Sequence, residues 1–131
     1  MNPNASRLQK AKIAEAAVLF RMTVCGFNVF GSPFDGDKAD WVVEIPETGR
    51  ILKVQVKWAH ASGKGLPSVS LKCVQGHNKA VRYQKADFDF IVGYDLYADT
   101  CYVWSSEEVA HLKRCVAVSP SAAEGWDKMR T

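Results

Sequence analysis

Residues 40–57, DWVVEIPETGRILKVQVK, contain two runs of β-branched and apolar residues separated by a short polar segment. Pro46, Thr48 and Gly49 carry the turn chemistry between them, so the stretch predicts a β-hairpin. The second run alternates. Leu52, Val54, Val56 and Trp58 point one way, and Ile51, Lys53, Gln55 and Lys57 point the other. Apart from Ile51 that second face is polar, although the segment is apolar enough for the centre of a sheet. A lysine and an amide two residues apart, facing the same space as Asp40 on the neighbouring strand, suit a site for a phosphate and a metal. The plain alternative is the solvated side of a half-buried strand, the commonest source of such alternation.

The remaining chain is read around this hairpin. Asn4 or Ser6 caps a predicted helix over residues 5–24, with an apolar stripe of Leu8, Ala11, Ile13, Ala14, Ala17, Val18, Phe20 and Met22. Glu15 falls on the face of Ala11, Val18 and Met22. A carboxylate there is costly unless paired, or else lies solvated at the stripe's edge. Gly26 ends the helix. Strands are predicted over residues 27–30, 69–74, 88–94 and 101–104, and residues 75–85 read as a short helix or irregular connection. Ser105 and Ser106 before Glu107 and Glu108 start a helix predicted to reach about residue 115. Residues 119–131 read as a short helix anchored by Trp126 or as a tail. This order predicts an α+β sandwich: a central mixed β-sheet flanked by helices. The 131 residues suffice for a single domain over 1–131, with a core at about 5–115 and a C-terminal extension at 116–131.

Charge is unevenly placed. Residues 50–85 hold eight Lys or Arg and no Asp or Glu, whereas Asp35, Asp37, Asp40, Glu44 and Glu47 gather just before them. An acidic knot beside a basic stretch suits a site that holds a cation and faces a polyanion; a solvated basic face is the alternative. Cys25, Cys73, Cys101 and Cys115 form no CxxC and no zinc-ligand spacing, so free thiols are expected. His60, His77 and His111 are isolated. No apolar run approaches a membrane span, and the N-terminal residues lack the apolar centre of a secretory signal, so a cytoplasmic location is expected.

Phosphodiester hydrolysis needs a metal to polarise the phosphate, a cation to hold developing charge, and room for in-line attack. Mg²⁺ prefers oxygen ligands. Asp40 offers a carboxylate, Gln55 an amide oxygen and Val56 a backbone carbonyl, while the Lys57 ammonium reaches toward the phosphate or the attacking water. Glu15, if it faces inward, orients that water or completes the site. Each has a plainer reading as well: Asp40 as a loop terminator, and Glu44 as the cross-strand partner of Lys53 or Lys57.

An acid on the first helix (Glu15), Asp40 at a strand start and Gln55-Val56-Lys57 on the next strand resemble the PD-(D/E)XK nuclease superfamily. The closer resemblance is to its glutamine-containing branch of intron-encoded homing endonucleases. It rests on Ala14-Glu15, residues 26–29, Asp40, Val54-Gln55-Val56-Lys57, Asn78, Tyr83, residues 87–90, Val103 and residues 107–109. Two departures stand out: Ala39 precedes Asp40 where the motif has proline, and Gln55 replaces an acid.

The resemblance implies a restriction-endonuclease-like core and Mg²⁺-dependent hydrolysis of DNA, with Mn²⁺ able to substitute. Catalytic residues would be Glu15, Asp40, Gln55 and Lys57, and metal ligands Asp40, Gln55, the Val56 carbonyl and Glu15. Double-stranded DNA would lie over Lys53, Lys72, Lys79, Arg82 and Lys85, with the loop at 59–67, including His60 and Lys64, entering a groove. Recognition of duplex DNA by so small a domain implies a homodimer or higher oligomer. A junction-resolving nuclease and a catalytically silent DNA-binding module are the competing readings.

Overall fold

The computed structural model of the chain describes residues 4–32, 39–61, 65–75, 79–82 and 87–131, with the backbone alone within 72–82. Helix α1 (Arg7–Val24) begins at a capping box. Ser6 Oγ accepts from the Gln9 N–H at 3.2 Å, and Gln9 Oε1 accepts from the Ser6 N–H at 2.8 Å. Its buried line is Ala14, Val18 and Met22, spaced four apart so that they stack on one face. The helix stops where Gly26 takes φ of +91°, a conformation open to a residue without Cβ.

Five strands form the main sheet: β1 (Asn28–Gly31), β2 (Trp41–Ile45), β3 (Arg50–Trp58), β7 (Phe90–Asp95) and β8 (Thr100–Ser105), in the order β1-β2-β3-β7-β8. The β3–β7 pair is parallel and the other three are antiparallel, which makes the sheet mixed as the sequence predicts. The β2–β3 hairpin pairs Trp41 with Val54 and Ile45 with Arg50, and Gly49 turns the chain at φ of +72°. Leu52, Val54 and Val56 face α1 in a core shared with Val43, Ile45, Phe90, Val92 and Val103.

The opposite face is covered over β7 and β8. A second small sheet, β4 (Ser68–Ser70) with β9 (Cys115–Ala117), packs there with the one-turn helix α2 (Ser106–Val109) around Val69, Leu71, Ile91, Trp104 and Val109. Gly93 makes this possible, since a Cβ at that position would stand 2.3 Å from Val69 Cγ2. The C-terminal residues line the β8 edge through Val103 N–H to Ala122 O and Glu124 N–H to Cys101 O, and they bury Trp126 and Met129 in the first core. Among the described residues no helix is long and apolar enough to cross a membrane, and Cys25, Cys101 and Cys115 are free thiols.

Several sequence expectations are corrected. Residues 69–74 are two strands rather than one: Ser68–Ser70 joins β9, while β5 (Lys72–Gln75) pairs with β6 (Lys79–Arg82). The basic segment expected as a helix or irregular connection is thus partly a β-ribbon. The helix predicted to reach residue 115 is only Ser106–Val109, and Cys115 instead opens β9. Its capping box, Ser105 with Glu108, is the signal that was legible; what ends it is the demand of β4 for an antiparallel partner. Leu8, Ala11 and Phe20 of the expected apolar stripe are exposed.

Candidate active site

Strand β2 begins at Trp41, one residue after the position that faces Gln55 on β3. The Asp40 N–H donates to Val54 O at 2.9 Å, the last rung between the strands. The next β3 donor on that side, the Val56 N–H, is taken by the Asp40 side chain, whose Oδ2 accepts it at 2.7 Å. A carboxylate thus replaces a backbone carbonyl in the ladder. One step beyond the Trp41–Val54 pair, the register sets Asp40 across from Gln55.

Helix α1 is brought to this corner by Trp41, whose indole N–H donates to the Glu15 backbone carbonyl at 3.3 Å. Glu15 is half-buried at the edge of the Ala14-Val18-Met22 line, beside exposed Ala11. Its carboxyl group lies near enough to that of Asp40 for the two to interact. Burial raises the Asp40 pKa to about 7; the Val56 N–H pulls it down, the Glu15 hydrogen bond and charge push it up, and the Lys57 ammonium pulls it down. Two carboxyl groups and a lysine from three elements therefore sense one another at the start of β2.

Gln55 is 8% exposed. Its Nε2 donates to the Val56 carbonyl at 3.2 Å, while its Oε1 is buried with no hydrogen-bond partner. A lone buried acceptor costs about 1–3 kcal/mol, which a cation would relieve. Among the described residues no group of three or more His, Cys, Asp or Glu is placed to hold a metal. The donor set at this corner is instead two carboxylates, one amide oxygen and the Val56 carbonyl, all oxygen and suited to a hard divalent ion. The residues fit such an ion.

The candidate DNA contacts separate. Lys53 is exposed on the Gln55–Lys57 face, and the Lys53 N–H is bonded to Asp89 Oδ2 at 2.7 Å. His60 is exposed just past β3 and tied through its backbone to Ser68. Lys72, Lys79 and Arg82 lie on the β5–β6 ribbon, with Lys72 paired to Arg82 and Gln75 to Lys79. Lys64 and Lys85 lie outside the described residues, as do Asp35 and Asp37 of the acidic knot. Glu44 is not paired to Lys57: its carboxylate accepts from Asn28 Nδ2 at 2.9 Å.

Sequence reasoning missed three contributors. Trp41 positions Glu15, and its only local signal was an aromatic ring beside the key aspartate. Gly93 stands next to Lys57 in the β3–β7 register and lets β4 close over that strand. Lys10, on α1, holds its ammonium 5.8 Å from the ring centre of Trp58. No short-range pattern could pair residues so far apart in the chain.

Residues 5–125 match the PD-(D/E)XK endonuclease family. Among solved structures, the fold is similar to that of a bacterial homing endonuclease, with a TM-score of 0.82 and 23% identity over 95% of this chain and 93% of that one. No curated protein matches the chain by sequence.

Proposed function

The chain belongs to the PD-(D/E)XK endonuclease family, and on that premise we propose that it cuts double-stranded DNA by divalent-metal-assisted hydrolysis. The observation that carries this reading is the corner at Val56. Asp40 is pinned to the strand bearing Gln55 and Lys57, the Glu15 carboxyl interacts with it, and a buried amide oxygen lacks a partner.

Asp40, Gln55 Oε1, the Val56 carbonyl and Glu15 would hold the metal, with Mg²⁺ favoured and Mn²⁺ substituting. Bound there, it supplies Lewis-acid stabilisation of charge on the phosphate. Lys57 adds a second positive charge beside the scissile phosphate and orients the attacking water. Glu15, beside Asp40, would orient that water. The products carry 5′-phosphate and 3′-hydroxyl ends.

The substrate lies against Lys53, His60 and the β5–β6 ribbon; Lys64 and Lys85 belong to the same basic stretch. A two-stranded ribbon is of a size that a major groove admits. A homing-type role is the preferred form, on the Val54-Gln55-Val56-Lys57 motif and the likeness to a homing endonuclease. In this reading a single nuclease domain acts in the cytoplasm as a homodimer or higher oligomer. The loss of one acid at Gln55 favours a second reading, a module that binds DNA without cutting it.

Plasmid nicking in Mg²⁺ separates the two. Cleavage by the wild type, with at least about a hundredfold loss in Asp40→Ala and in Lys57→Ala, supports the nuclease. Salt-dependent retention on DNA with no cutting supports the silent module.

A further inference from the structure

The first two turns of α1 do not end where the sheet ends. Arg7 and Ala11 continue the line of Ala14 and Val18, at spacings of three, four and seven residues that keep one helix face. Ala14 and Val18 are buried, whereas Arg7 and Ala11 on the same line are exposed. The core-facing side of the helix therefore overhangs the sheet at its N-terminal end. That end is also the site's end: the Trp41 indole next to Asp40 bonds the Glu15 carbonyl, and Lys10 reaches over Trp58, the residue after Lys57. From Arg7 to Glu15 the helix advances only about 12 Å.

The charges on the overhang run against helix electrostatics. A helix N-terminus favours acids, yet the first turn of α1 has none and begins with Arg7. Glu15 is the sole acid in residues 1–34. Among the described residues, ion pairs are formed by Arg21, Lys128 and Arg130, and none by Arg7 or Lys10. Two cations at the unfavourable end of a helix, Arg7 exposed and Lys10 half-buried with its ammonium over Trp58, match a polyanion beside the site.

We infer that the overhanging first turns of α1 form a second wall of the DNA cleft, on which Arg7 and Lys10 contact backbone phosphates next to the cleaved bond. This surface is separate from the 50–85 basic stretch and rests on the nuclease reading above. The contacts are to phosphate, so they add affinity without reading sequence. Trp58 holds the Lys10 ammonium at the rim, ready to receive the strand that enters the site.

The test is the binding of metal-free protein to a random-sequence duplex across a salt series, so that no cutting competes. Arg7→Ala/Lys10→Ala should bind at least about tenfold more weakly, and its log–log salt slope should fall by about 2, one counterion per lost contact. Arg7→Lys/Lys10→Arg should restore both. Lys113→Ala removes an exposed cation between α2 and β9, outside both basic surfaces, and should leave affinity and slope unchanged. Alanine favours helix, so the double variant keeps its fold, which circular dichroism checks. An unchanged slope in the double variant, or an equal loss in Lys113→Ala, overturns the second wall and leaves the nuclease reading standing. Wild-type protein that ignores DNA even at low salt overturns both.

Discussion

The Asp40 carboxylate stands in for a backbone carbonyl: its Oδ2 accepts the Val56 N–H at 2.7 Å, one residue before β2 begins. One bond fixes the aspartate to the strand bearing Gln55 and Lys57 and spends only part of its acceptor capacity, since an ionised carboxylate has about four lone-pair sites. The same contact extends the β2–β3 pairing past Trp41 and seats a charge at the proposed metal position. Asp40→Asn retains an oxygen for the Val56 N–H and removes the charge. It should keep the fold and lose at least about a hundredfold in nicking; circular dichroism and plasmid cleavage measured together check both halves.

The acidity of Asp40 sets opposite pH responses for stability and for the proposed metal binding. Its pKa is near 7 in the folded chain, above its ordinary carboxylate value, first because it is buried and then because Glu15 is beside it. The folded state therefore holds a proton that the unfolded state has released between about pH 4 and pH 7. The contribution of Asp40 to stability is present below pH 4 and is lost as pH rises through 7. Metal-free wild type should unfold at lower urea at pH 8 than at pH 5, with a contribution of order a few kcal/mol from this group. Asp40→Asn should show a smaller difference between the two pH values.

The proposed metal binding runs the other way, because an ion at Asp40 would displace its proton. Mg²⁺ affinity, followed by calorimetry, should rise as pH goes from 6 to 8 and level off above 7. An affinity flat across that interval would separate Asp40 from the metal.

Gln55 distinguishes a ligand from a structural amide. Its Oε1 is buried without a partner, so replacing the side chain by leucine removes a polar cost rather than a bond to that atom. Gln55→Leu should leave metal-free stability within about 1 kcal/mol of wild type, the lost Nε2 contact to Val56 being offset by the apolar gain. Nicking should fall at least about tenfold. Gln55→Glu should tighten Mg²⁺ binding and lower metal-free stability, since a third carboxylate repels the other two. Calorimetric titration and urea unfolding report the two effects separately.

The close approach of Val69 to Gly93 ties the second core to the site. A methyl group at that position has no room beside Val69 Cγ2, and Gly93 is the register partner of Lys57. Gly93→Ala should cost about 1–3 kcal/mol by overpacking and also reduce cleavage as β4 is pushed off β7. Adding Val69→Ala, which vacates the clash, should recover most of the stability.

Much of the architecture could be read from residue order. The period-two run at 50–58 gave the centre of the sheet and its two faces, and the Ala14-Val18-Met22 spacing gave the helix that covers one of them. Asp40, Gln55 and Lys57 were legible as a group because all three lie on one local hairpin. What escaped was set by distant partners. Strand β9 exists because β4 needs an antiparallel neighbour, and β6 because β5 does. Glu15 was recognised, yet the agent that seats it, the Trp41 indole on its carbonyl, joins residues 26 apart. Gly93 read as an ordinary glycine in a hydrophobic strand, since only packing shows that a side chain would not fit.

Diffraction from crystals soaked in Mn²⁺, with the anomalous signal locating the ion, tests the central claim most directly. A peak about 2.0–2.3 Å from an Asp40 carboxylate oxygen and from Gln55 Oε1 is the predicted result. A peak bound elsewhere, or none at this corner from protein that cuts DNA in the same buffer, would contradict it.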